Sequence, residues 1–170
     1  QTTMLATETQ EVMDILKNAT LQLFSESDIQ QHFADTSDTL CYATNENQSA
    51  TLALSKVEAD LAFVVGGYNS SNTMHLVEIL EHSFPTYHVG DAAEIIDQSL
   101  VRHFNQWEKE ILETTNWLEH SRNPLKIALT SGASCPDALV DEVLMRLLEF
   151  FPGHRDIEDV LAPFEATDTF

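Results

Sequence analysis

The continuous apolar run "DLAFVV" (Asp60–Val65) and the mostly apolar "LKIALT" (Leu125–Thr130) restrict the fold more than any other feature of the chain. The first reads as a strand buried on both faces, as in a parallel sheet, and the second as another buried strand. Each run ends in a polar, glycine-containing turn that opens onto an amphipathic helix. "GGYNSSNT" leads into a helix over 73–81 with Leu76, Ile79 and Leu80 on one face. "TSGASCPD" leads into a helix over 136–151, where Leu139, Val140, Val143, Leu144, Leu147 and Leu148 form one stripe. "TYHVG" (Thr86–Gly90) reads as a further strand. Strands alternating with helices give βαβ units, so the predicted class is α/β, a parallel sheet with flanking helices.

The flanking segments are assigned by local signals. Thr7 with Gln10 forms a capping box, followed by Val12, Ile15, Leu16, Ala19 and Leu23 at helical spacing. The polar stretch Ser25–Asp38 is a connector, with a domain boundary near Thr36. "DTLCYAT" reads as a short strand or loop, and Gln48–Val57 as a helix. Within 99–123, apolar residues fall at positions 100, 104, 107, 111 and 118, which predicts an inserted amphipathic helix. Residues 37–151 then form one α/β domain, and 152–170 an acidic C-terminal tail. The opening "QTTML" lacks an initiator Met and reads as the end of a strand, so upstream sequence is expected.

Charge removes several classes of function. With 28 acidic and 8 basic residues, the formal charge is −20. Nucleic acid needs a basic patch, and an anionic membrane surface repels such a chain. No apolar window of about 18 residues is present to span a bilayer, and no secretory signal is visible. Cys41 and Cys135 form no CxxC pair, so each is either a ligand or a buried thiol.

The two polar turns carry the chemistry. In a parallel sheet, ligands bind beyond the carboxyl ends of the strands. Glycine lets backbone amides approach a ligand, and a helix N-terminus offers unpaired N–H groups at its positive end. Ser and Asn side chains add neutral donors, a combination suited to a phosphate or diphosphate held without Lys or Arg. Asn72 and Ser134 can also be read as N-caps, with Pro136 in the following first turn. Two turns of the same chemistry at one sheet edge favour anion binding. No Gly-x-Ser-x-Gly elbow, P-loop motif or metal-spaced histidine is present, and the histidines are assigned to surface or core.

"VVGGYNSSNTMHL", "DTLCYATNENQ" and "LTSGASCPDALVDEVL", with the opening "QTTMLATETQEV", resemble the carboxyl half of the IspH/LytB family of 4-hydroxy-3-methylbut-2-enyl diphosphate reductases. The "GGYNSSNT" spelling and the insert at 99–123 are closest to its cyanobacterial and plant-type branch. The resemblance covers Gln1–Phe151 and about half of the family's length. It implies one complete domain of a three-domain α/β reductase, with residues 1–36 ending the preceding domain. It implies that Cys41 is one thiolate ligand of a [4Fe–4S] cluster, and that Thr2, Thr44, Ser70, Ser71, Asn72 and Ser134 contact substrate. Cys135 matches no family ligand and is expected to be a packing residue. The family's other two cysteine ligands, its substrate-contacting histidines and its proton-donating glutamate would lie upstream of Gln1, leaving no catalytic residue in this chain. The implied reaction reduces 4-hydroxy-3-methylbut-2-enyl diphosphate to isopentenyl and dimethylallyl diphosphates in the non-mevalonate pathway. Ferredoxin or flavodoxin would donate electrons, and the missing N-terminal part of the same enzyme would be a partner. The expected location is the cytoplasm, or the plastid stroma in a photosynthetic eukaryote. Alternatives are a non-redox phosphate-ligand (phosphosugar-like) binding module, or an inactive fragment.

Overall fold

A computed structural model describes residues 5–24, 28–33, 42–118 and 124–165. The elements are α1 (Ala6–Leu23), α2 (Ile29–His32), α3 (Tyr42–Leu54), β1 (Leu61–Val65), α4 (Ser71–Glu81) and β2 (Thr86–Val89). A 3-10 turn (Ala92–Glu94), β3 (Leu100–Asn105), β4 (Glu110–Thr115), β5 (Ile127–Ser131), α5 (Asp137–Leu148) and α6 (Ile157–Glu165) follow. None of the described helices is long and apolar enough to cross a membrane.

The two runs are neighbours in one sheet, but the second is not the buried strand expected: β5 lies at the edge of the sheet among the described residues, with Ala128 alone buried. β1 lies at its centre and pairs in parallel with β2 and β5, in the order β2-β1-β5. All five β1 residues are buried, because both faces of the strand are covered. Leu61, Phe63 and Val65 face a cluster with Tyr87, Trp117, Val143 and Leu147, under α5. Ala62 and Val64 face Leu76, Val77 and Leu80 of α4. Phe63 anchors the first cluster, meeting the Trp117 ring edge-on at 5.5 Å and that of Tyr87 at 5.4 Å.

The register sets up the site. Val65 is level with Val89 on one side and Ser131 on the other, so the three strands end together. Gly66, Gly90 and Gly132 each follow one of these ends, in a row along the carboxyl edge. Their amides continue the ladder: Gly66 N donates to Val89 O and Gly132 N to Val65 O, both at 3.0 Å.

Three further local expectations are corrected. The described part of the insert, residues 99–118, is not a helix: β3 and β4 form an antiparallel hairpin, with Arg102 opposite Glu113. Its turn is closed by the Asn105 side chain, which accepts from Trp107 N (2.8 Å) and Glu108 N (3.0 Å), a local bond that favours turns over helix. Val101 enters the core and Phe104 packs towards β2, contacts that a strand can make and that helical spacing did not reveal. The Thr7–Gln10 capping box does not form. The N-cap of α1 is Leu5, two residues before Thr7; its N–H donates to Glu8 (3.3 Å), while Gln10 bonds Asp14 (2.9 Å). α3 begins at Tyr42, so the part of "DTLCYAT" that is described is helical rather than extended. The proposed boundary at Thr36 lies outside the described residues.

Candidate functional site

The Thr73 side chain packs tightly against both glycine turns. A Cβ on Gly66 would sit 2.8 Å from Thr73 Oγ1, and one on Gly132 only 2.2 Å from it. Glycine is therefore required at both positions, because α4 enters directly over the ends of β1 and β5. Gly66 adopts φ +155°, a backbone region that L side chains rarely occupy. The turns at 66–70 and 132–136 thus converge at one edge of the sheet, as the sequence predicted.

Ser70 is the N-cap of α4. Its backbone is extended (φ −84°, ψ 110°) and its hydroxyl accepts from Thr73 N at 3.3 Å. Ser71 and Asn72 occupy the first helical turn, which carries no acidic residue. Asn72 is therefore not a cap, contrary to that alternative. Both its amide atoms are buried without a hydrogen-bond partner among the described residues. A buried side-chain amide in that state costs about 1–3 kcal/mol, so it signals a missing partner. Ser134 is exposed on the second turn, which Cys135 N closes onto Gly132 O at 2.8 Å. The N-cap of α5 is Pro136, which has no side-chain cap bond, so Ser134 is not a cap either.

α3 forms a polar wall of the site that sequence reasoning missed. Its buried face is Thr44 (4% exposed), Gln48 (2%) and Thr51 (0%), not an apolar stripe. Asn47 Nδ2 donates to Ser131 O at 2.9 Å, and the Thr51 and Thr130 hydroxyls lie 3.4 Å apart. These bonds tie the helix to the carboxyl end of β5. The signal was present as polar residues at 44, 47, 48 and 51, the i, i+3, i+4, i+7 pattern of one helix face.

From β2, His88 reaches the same edge. It is buried, and burial pushes its pKa down, with His103 adding to the effect. Its Nε2 lies 3.0 Å from Gly66 O. A carbonyl only accepts, so Nε2 carries the proton and Nδ1 is bare. Cys135 is half-buried on the second turn. Burial, then Asp137, raises its pKa, and it packs against the α5-side core as expected. Cys41 and Thr2 lie outside the described residues. Among those described, no group of three or more His, Cys, Asp or Glu side chains could hold a metal ion.

The sequence model of the LytB family ("LytB protein") matches residues 1–148. The 4-hydroxy-3-methylbut-2-enyl diphosphate reductase of Thermosynechococcus vestitus is 40% identical over 148 residues, covering 86% of this chain and 36% of that protein. The enzyme of the same name from Microcystis aeruginosa is 38% identical over 151 residues, covering 88% of this chain and 37% of that protein. A solved structure of (E)-4-hydroxy-3-methyl-but-2-enyl diphosphate reductase shares 27% identity with a TM-score of 0.47, covering 65% of this chain and 32% of that one. The chain spans little more than a third of the length of these two cyanobacterial relatives, less than the half expected from the sequence. A family match running through residues 1–148 of 170 shows that the chain belongs to the LytB family.

Proposed function

We propose that this chain is the C-terminal part of a 4-hydroxy-3-methylbut-2-enyl diphosphate reductase of the non-mevalonate pathway, and that its share of the work is to hold the substrate's diphosphate. The observation that carries this reading is Asn72. Its amide is buried and unpartnered among the described residues, in the first turn of α4, beside Ser70 and Ser71. An anion there would accept from the Asn72 Nδ2–H, from hydroxyls and from free backbone N–H groups at the positive end of the helix. Ser134 approaches from the second turn, and Thr44 from the polar face of α3. Thr2 is proposed on resemblance alone.

The same resemblance makes Cys41 one thiolate ligand of a [4Fe–4S] cluster. When bound, such a cluster supplies a Lewis-acidic iron and electrons. The described residues do not by themselves fit it: they include no group of three or more His, Cys, Asp or Glu side chains that could hold a metal. What this chain's own residues do is bind and orient the diphosphate. The rest of the same enzyme is the proposed partner, and α1 supports this. Val12, Ile15, Leu16 and Leu23 leave its apolar stripe exposed among the described residues, as expected if residues 1–36 complete another domain. Ferredoxin or flavodoxin is the proposed electron donor and the cytoplasm the proposed location.

Two measurements test the reading. The 170-residue chain, reconstituted anaerobically with iron and sulfide, should not turn over substrate with a reduced viologen dye; turnover would sink the fragment assignment. The same chain should bind inorganic diphosphate at the start of α4, seen as shifts of the amides between Gly67 and Thr73.

A further inference from the structure

Tyr68 lies inside the proposed anion-binding turn, between Gly66 and the N-cap Ser70, and its side chain contacts β2, the 3-10 turn and β3. Its ring stacks on Phe104 of β3, with centroids 4.7 Å apart and planes 14° apart. It meets His88 edge-on at 5.1 Å. Its hydroxyl donates to Oε1 of Glu94, in the 3-10 turn after β2, and accepts from Gly90 N at 3.2 Å. Glu94 Oε2 accepts from the same Gly90 N at 2.7 Å. By contrast, the turn's backbone bonds are local: Ser70 N to Gly67 O and Met74 N to Ser70 O, each 3.0 Å. Among the described residues, the hydrogen bonds and ring contacts that tie the stretch 67–69 to β2, the 3-10 turn and the hairpin are those of the Tyr68 side chain.

We propose that Tyr68 is a positioning residue for the diphosphate turn, and that the β3–β4 hairpin tunes the turn's affinity by stacking Phe104 against it. The inference rests on the diphosphate reading of the turn and adds residues that reading does not use. Donors fixed before the ligand arrives lose no further freedom on binding. Fixing the backbone of one residue is worth about tenfold in affinity. Burial and the Glu94 carboxylate both raise the Tyr68 pKa, so the phenol remains a donor throughout the neutral range.

The test titrates the 170-residue chain with inorganic diphosphate and follows the amides of Gly67–Thr73 by NMR. Hydrogen exchange of the ligand-free chain is measured alongside. Tyr68→Phe keeps the stack and loses the Glu94 bond; Phe104→Leu does the reverse; Tyr68→Leu loses both. We expect the first two to weaken diphosphate about 3- to 10-fold and the third about 10-fold or more. Exchange at residues 67–70 should quicken, while β1 amides keep their protection. Should Tyr68→Leu fail to fold, the other two variants decide. Asn72→Ala separates this proposal from the reading beneath it. If Asn72→Ala weakens diphosphate while the Tyr68 and Phe104 variants bind as tightly as the unaltered chain, the positioning role is overturned and the site stands. If the unaltered chain does not bind diphosphate, or Asn72→Ala binds it equally well, both fall.

Discussion

Replacing Asn72 by Ala should raise stability and lower diphosphate affinity in the same molecule. In the ligand-free chain the Asn72 amide contributes no hydrogen bond among the described residues, while its burial costs about 1–3 kcal/mol. Alanine removes both unpaired atoms and is the better helix former by up to about 0.7 kcal/mol. Some packing is lost in exchange, so the net expected gain is about 1 kcal/mol, or a melting temperature higher by about 2–4 °C. With diphosphate present the sign reverses. A hydrogen bond to a charged oxygen is worth about 1.5–3 kcal/mol, so affinity should fall roughly ten- to a hundredfold. Thermal melting with and without inorganic diphosphate, together with a calorimetric titration, gives both numbers. If Asn72 acted as a cap, the variant would instead lose about 1 kcal/mol of stability and keep its affinity. That outcome would refute the reasoning, including the assignment of the cap to Ser70.

Three further results are expected. His88 has a lowered pKa in the fold, so it binds fewer protons there than in the unfolded chain; its contribution is intact above the unfolded value near 6.5 and is lost as pH falls from there through the folded value. Urea unfolding between pH 5 and 7.5 should show a shallower loss on acidification for His88→Gln than for the unaltered chain, and identical slopes would reject the assignment. Phe63→Ala, at the centre of the α5-side cluster, should cost about 3–5 kcal/mol in urea unfolding. In the complete protein, if the proposed cluster is bound, Cys41→Ser should lose iron while Cys135→Ala retains it, read by iron content per protein; equal loss in both would mean that Cys135 is misassigned.

Local chemistry makes the two turns legible in the sequence itself. The run "DLAFVV" has no polar residue after Asp60 to turn outward, so it had to be a buried strand, whereas "LKIALT" carries the exposed Lys126 and forms the edge strand β5, of which Ala128 alone is buried. The helices after them had to cover those strands with the Leu76–Leu80 and Val143–Leu147 faces. Glycine, serine and asparagine at the ends of such strands also constrain chemistry within a few residues, which is why Ser70, Ser71, Asn72 and Ser134 stand out as candidates. Three matters depended on partners far along the chain. Residues 99–123 carry apolar positions that satisfy a helical period, but β3 and β4 are fixed by cross-strand pairing and by docking Phe104 and His103 against β2. The choice of cap depended on which residue was extended where α4 meets the glycines, and that fell to Ser70. The polar wall of α3 has its meaning only where Asn47 and Thr51 meet Ser131 and Thr130, about eighty residues away. Residue types and short-range periodicity belong to the sequence directly. Whether a side chain is buried, and whether it finds a partner there, is settled by what the fold brings against it.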